Sequence, residues 1–168
     1  MTDIRPAEPR DVEAIAAIHA QGIAGRRATF QTETLTGQDV RPWLDGRGPL
    51  LVAEEDGEVV AWASVGDYSD FPPYADVGEF AIYVADRAQR QGLGRRLLEA
   101  LCEAAERDGR YKLVGKVFTH NEASLVLCRA CGFREVGVHR RHGTLDGVWR
   151  DVVIVERLLG QAKPANED

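Results

Sequence analysis

VADRAQRQGLGRRLLEALCEAAERDG, Val84 to Gly109, joins a strand-like run to the most regular helical pattern in the chain. Leu93, Leu97, Leu98, Leu101, Ala104 and Ala105 recur at helical spacing and form one apolar stripe, which Gly109 ends. Upstream, Gly78 to Val84 alternates, with Phe80, Ile82 and Val84 on one face and Glu79, Ala81 and Tyr83 on the other. Between the two runs stands Gln89-Arg90-Gln91-Gly92-Leu93-Gly94-Arg95-Arg96. Amide groups at a helix start have no intrahelical acceptor, and the helix dipole adds partial positive charge there. Gly92 and Gly94 let the backbone approach a ligand with no Cβ in the way, and Arg90, Arg95 and Arg96 add charge. The stretch therefore predicts a strand–turn–helix unit whose turn cradles a phosphate or pyrophosphate. It is neither a Walker loop nor a Rossmann fingerprint, because the G-x-x-x-x-G-K-[ST] pattern and a third Gly or Ala after Gly94 are both missing.

Reading outward, Ile4 to Ala7 predicts a first strand, and Asp11 an N-cap for a helix over Val12 to Ala24. Thr36 to Leu44 reads as a short second helix, interrupted near Pro42. Leu50–Glu54 and Val59–Val65 flank Asp56-Gly57, a strong hairpin signal. Gly66 to Asp76 reads as a loop. On the C-terminal side, Tyr111 to Phe118 predicts a strand. Asn121 caps a helix carrying Leu125, Leu127 and Cys128, which Gly132 ends. Phe133–His139 and Val148–Leu158 are strands, the latter after the turn Leu145-Asp146-Gly147. The order β-α-α-β-β-β-α-β-α-β-β predicts an α/β (α+β) domain over residues 1–160, with a central mixed sheet flanked by helices. Residues 161–168 are expected to be a polar, frayed tail.

The chain has 168 residues and a formal net charge of −6, which argues against a general nucleic-acid binder. Its apolar runs are too short to span a membrane. Three cysteines and no basic, apolar leader at Met1-Thr2-Asp3 predict a reducing, cytoplasmic location. Cys128-x-x-Cys131 and His139-x-x-His142 lie closer together than finger spacing allows, so no metal site is expected, and the cysteines read as small apolar helix residues.

Gln89-Arg90-Gln91-Gly92-Leu93-Gly94 resembles the [QR]-x-x-G-x-[GA] motif of GNAT-superfamily N-acetyltransferases, and Asn121-Glu-Ala-Ser124 with Leu127 to Phe133 resembles a second segment of that superfamily. Within it, Ala28-Thr29-Phe30, Val77 to Val84 and Gly147-Val-Trp149-Arg-Asp151-Val152 are similar to the phosphinothricin and arsinothricin N-acetyltransferases. The likeness implies a GNAT fold with a mostly antiparallel sheet, acetyl-CoA as donor and a primary amine on a small amino-acid-like molecule as acceptor, joined by direct attack in a ternary complex. Detoxification or resistance is the role that goes with it, and a homodimer is implied too, with the apolar Val152 to Val155 permitting one. It further implies that the backbone of Ile82, Tyr83 and Val84 binds the pantetheine arm, that Arg90, Gln91, Gly92, Leu93, Gly94 and Arg95 hold the pyrophosphate, and that Asn121 and Ser124 touch the cofactor.

Glu79 matches the group's base. It is the one acid on an apolar strand, where burial would strengthen it as a proton acceptor. Cys128 stands where many members carry a tyrosine that protonates the leaving thiolate. Gly66 to Asp76, Phe30, Tyr74, His142 and Trp149 are expected around the acceptor. The loop before Tyr74 lacks the arginines that several relatives carry, and Arg140, Arg141 and His142 are placed to substitute from the other side. Another acceptor (polyamine, aminoglycoside or protein N-terminus) and a non-catalytic acyl-CoA-binding module are the alternatives.

Overall fold

The computed structural model describes residues 1–160; the expected tail, residues 161–168, lies outside them. Seven strands form one sheet: β1 (Thr2–Pro6), β2 (Leu50–Glu55), β3 (Glu58–Asp67), β4 (Val77–Val84), β5 (Lys112–Phe118), β6 (Arg134–Leu145) and β7 (Val148–Leu158). Their order is β1-β2-β3-β4-β5-β7-β6, and every neighbouring pair is antiparallel except β4–β5. Four helices flank it: α1 (Val12–Ala24), α2 (Gly37–Val40), α3 (Leu93–Arg107) and α4 (Glu122–Ala130). The stripe Leu93, Leu97, Leu98, Leu101 and Ala105 of α3 is buried with Leu125 and Cys128 of α4 against one face of the sheet. Ile15, Ala16 and Ile18 of α1 pack with Val40, Val52 and Trp62 on the opposite face. The alternation read in β4 is what joins the layers: Phe80, Ile82 and Val84 pack on the first cluster, Ala81 and Tyr83 on the second.

The sheet forks at one place. Strand β4 pairs with β3 from Gly78 to Val84, but with β5 only from Val77 to Glu79. Beyond Glu79 the strands part. At the split a Cβ on Gly115 of β5 would collide with the Phe80 ring, so glycine there lets that ring lie across β5. Backbone direction follows from the bonds made. Ala85 N–H donates to Val60 O (2.8 Å) and Val77 O accepts from Tyr68 N–H (3.3 Å), so odd-numbered β4 groups face β3. Those of Phe80, Ile82 and Val84 face the opening.

Four readings of the sequence are corrected. Asp11 does not cap α1. Its own backbone is helical, and its carboxylate instead accepts from Glu8 N–H (2.8 Å) and pairs with Arg5 (2.8 Å). The second helix is only Gly37–Val40, capped by Thr36; a 3-10 turn, Arg41–Asp45, follows, with Pro42 unable to donate to a continuing helix. Strand β6 does not stop at His139 but runs to Leu145. Its register with β7 skips between His139 and Gly143, Arg141 takes a left-handed φ of 49°, and its N–H donates to Asp151 (2.8 Å). Finally, Val152, Val153 and Val155 are buried in this chain's own core, which removes the apolar strand expected to meet a second copy.

Candidate active site

At the mouth of α3, Gly92 is the N-cap residue with φ 75°, and Arg90 has φ 62°. The first helical bond runs from Arg96 N–H to Gly92 O (3.3 Å), so the amides of Leu93, Gly94 and Arg95 have no acceptor within the helix. Glycine is required at one of the two positions. A Cβ at position 92 would meet open space, so Gly92 supplies a conformation; a Cβ at position 94 would make ordinary van der Waals contact with Leu127 (3.4 Å), so packing there does not demand glycine. The charges do less than the sequence suggested. Arg95 is turned to Glu99 (3.1 Å) and Arg96 to Thr2 O (3.3 Å), leaving the anion cradle mainly to backbone amides and Arg90.

The fork opens into a cavity of about 440 Å³ lined by Phe80, Ile82 and Tyr83 of β4, Lys116 and Phe118 of β5, and Asn121, Ser124, Leu127 and Cys128 of the α4 region. Thr29, Phe30 and His142 complete it. Asn121 caps α4 by accepting from Ser124 N–H (3.2 Å), which fixes both residues at the wall. Phe30 packs edge-on against Phe118 (4.6 Å), and His142 stacks on His139 (4.5 Å). Val84 O is met by the Gln89 side chain (3.2 Å), while Ile82, beyond the last pair with β5, turns its backbone groups to the opening. Tyr83 contributes its ring rather than its backbone, since its amide faces β3; that ring stacks on Trp62 (4.9 Å), and burial pushes its hydroxyl up. Burial, with Cys131 and Cys102 adding to it, pushes the Cys128 thiol up to about 12.

Glu79 sits where the strands part. Its side chain is one-third exposed, so the burial expected of it is only partial, and Lys116 Nζ lies 3.2 and 3.3 Å from its two oxygens. Nothing in the sequence pattern singled out Lys116 beyond its being a cation amid the apolar run Leu113-Val-Gly-Lys-Val-Phe118. A second cavity, of about 580 Å³, opens on the α1–α2 face and shares Thr29, Glu79, Ala81 and Tyr83 with the first. Trp43, Trp62, His19 and Arg47 line it, and none was expected from the sequence. Gly66 is the residue of the Gly66–Asp76 loop that reaches it.

Two expected acceptor residues are not brought to either cavity. Tyr74 packs on Tyr68 and Phe71 in an exposed 3-10 turn (5.9 and 5.4 Å), and Trp149 is 59% exposed on β7. Arg140 and Arg141 also lie outside both linings, carried off by the β6 bulge. Among the described residues no group of three or more His, Cys, Asp or Glu is arranged to hold a metal, and no helix is long and apolar enough to cross a membrane.

Comparison with known proteins gives one consistent picture. Residues 20–133 match the model of the Acetyltransferase (GNAT) family. The L-amino acid N-acyltransferase MnaT of Escherichia coli (strain K12) is 32% identical over 162 residues, 94% of either chain. The phosphinothricin N-acetyltransferase of Streptomyces coelicolor is 32% identical over 163 residues, 93% of this chain and 95% of its own. Among solved structures, yncA from Salmonella typhimurium with its cofactor acetyl-CoA superposes with a TM-score of 0.93 at 29% identity, covering 99% of both chains.

Proposed function

The chain belongs to the GNAT acetyltransferase family, and on that premise we propose that it moves the acetyl group of acetyl-CoA onto the α-amino group of a small amino-acid-like acceptor, by direct attack with both molecules bound. The observation that carries the proposal is the position of Glu79 at the fork, where it lines both the cavity that runs through the fork and the one on the α1–α2 face. One cavity is walled by Leu127, the α4 residue against which Gly94 of the amide cradle lies; the other has no lining residue beside that cradle and is left for an acceptor. The residues fit the donor. The amides of Leu93 to Arg95 would take the pyrophosphate, and the free edge of β4 at Ile82 would pair with the pantetheine amides as an added strand does.

Acetyl-CoA supplies the activated acyl group. The Ile82 N–H, aimed into the opening, would stabilise charge developing on the thioester oxygen. Glu79 takes the proton that the attacking ammonium must lose, and Lys116 keeps its carboxylate oriented toward the gap. The names of the E. coli and S. coelicolor relatives, with acyl transfer to amino acids in one and to phosphinothricin in the other, support an acceptor of that class.

Glu79→Gln tests the assignment. General-base removal is expected to lower kcat/KM about 10²- to 10⁴-fold, read as thiol release, with acetyl-CoA binding unchanged. A rate within threefold of wild type would mean that another group takes the proton.

A further inference from the structure

We propose that Lys116 is itself an acceptor: given acetyl-CoA and no amino acid, its side-chain amine takes the acetyl group, and the enzyme modifies its own fork. The inference rests on the reading just given, in which the acyl group lies at the fork and Glu79 takes the proton.

Place and reach carry it. Lys116 stands on β5 two residues past Val114, the last residue of that strand to pair with β4. Strand alternation puts Val114 and Lys116 on one face, and Glu79, the partner of Val114, shares it. The lysine side chain crosses the mouth of the fork, and its Nζ reaches both oxygens of Glu79 (3.2 and 3.3 Å). It lines the same cavity as Ile82, Ser124 and Cys128, where the thioester is expected. An acceptor ammonium has to stand within hydrogen-bond reach of the base and open to the acyl carbon. Lys116 already places an ammonium there.

The pair is not locked. Half of the Lys116 side chain and a third of that of Glu79 are exposed, so solvent weakens the ion pair, and the four-carbon stem lets Nζ swing. Lys112, on the same strand, is the contrast. Its Nζ holds Glu156 (2.6 Å), which Arg134 also holds (2.7 Å), and it lines neither cavity. The chain has three lysines, the third being Lys163, so self-modification has few competing sites.

The step is an aminolysis. Glu79 takes a proton from the Lys116 ammonium, and the Nζ lone pair attacks the carbonyl carbon. The N–C bond forms, the C–S bond breaks, and its electron pair leaves on the CoA sulfur. Overall, acetyl-CoA and the lysine ammonium give an amide, CoA thiol and one proton. The amide carries no charge, so it no longer pairs with Glu79, and the added acetyl group stands where the next acceptor must enter. A lysine ammonium yields its proton less readily than an α-ammonium, so a bound amino acid outcompetes it.

The test is incubation of the full chain with acetyl-CoA and no acceptor, followed by intact mass and tryptic mapping. One acetyl group per chain is expected, on Lys116. It is read as the joined peptide Leu113–Arg129, because trypsin does not cut after an acetylated lysine. The initial rate at Lys116 should exceed that at Lys112 about 10²-fold or more, and Glu79→Gln should lower it by a similar factor. Lys116 labelled no faster than Lys112, or as fast in the urea-unfolded chain, overturns the inference, and the wild-type mapping decides this whether or not the variant folds. Thiol release with a panel of amino acids, run alongside, separates the two readings. Turnover of an amino acid, with Lys116 unmodified in the acceptor-free incubation, overturns self-acetylation alone. Acetylated Lys116 with no amino acid turned over upholds it and overturns the acceptor class. Neither acetylated Lys116 nor turnover, acetyl-CoA still binding, overturns both.

Discussion

Arg110 is fully buried between the end of α3 and the start of β5, and removing it should loosen the acceptor side of the molecule. Its Nη1 donates to Ala75 O (3.1 Å) and Val77 O (3.2 Å), while Nη2 donates to Asp67 (2.8 Å) and, at the limit of a hydrogen bond, to Arg47 O (3.5 Å). One guanidinium thus pins the Arg47 segment, which lines the second cavity, to the end of the Gly66–Asp76 loop and the start of β4. Substitution by alanine takes one donor from Val77 O, which keeps Tyr68 N–H, and one from Ala75 O, which keeps Arg47, so no carbonyl is orphaned and the lost hydrogen bonds together cost about 1–2 kcal/mol. Asp67 is 58% exposed and returns to water at small cost. The lost aliphatic stem adds a cavity term, bringing the whole to about 3–4 kcal/mol. For a domain of this size that is a fall in melting temperature of about 10 °C. Arg110→Met keeps the stem, so about half of the loss should remain. Thermal unfolding by circular dichroism reads both. Variants that both melt within about 2 °C of wild type would show that the carbonyls find other partners and that the pinning argument is wrong. Short of unfolding, the KM for the acceptor should rise while that for acetyl-CoA holds.

Two further outcomes are expected. Cys128→Ala should keep kcat within about threefold. A thiol held near 12 by burial is a poor partner for a departing thiolate, and loss comparable to that of Glu79→Gln would instead assign it the proton. Acid should destabilise the fold in two stages. His19 is held low by burial, so the unfolded chain takes its proton first and stability starts to fall as the pH drops below about 6.5. Asp11 is held low by Arg5 and Glu156 by Lys112 and then Arg134; their contributions are whole above 3.8 and 4.5, the ordinary values, and are lost as the pH falls through the lowered ones. Melting temperatures across this range check the sign, and a midpoint that rises on acidification contradicts it.

How much of this could be read from the sequence depends on how local each signal is. The helical stripe from Leu93 to Ala105, the alternation of β4 and the Asp56-Gly57 hairpin are consequences of side-chain period and turn chemistry, and each stands where the sequence puts it. The amide cradle belongs with them, since two glycines beside a helix start are a local instruction. The fork is different. It arises because β4 leaves β5 after only three pairs, and that depends on Phe80 lying over Gly115, residues 35 apart whose meeting no periodicity announces. The same holds for the second cavity. Trp43 and Trp62 are ordinary apolar residues in a turn and a strand until the fold sets them 5.4 Å apart with His19 of α1 beside both, and Lys116 is a cation amid an apolar run until the fork sets it opposite Glu79. Tyr74 and Trp149 are a different case: matching a family pattern marked them, and a 3-10 turn and an exposed strand position keep them out of both cavity linings. Resemblance and periodicity therefore reached the amide cradle and the β4 edge, which are built from one contiguous strand–turn–helix. The second cavity is assembled from five separate segments, and there only the three-dimensional structure shows which side chains meet.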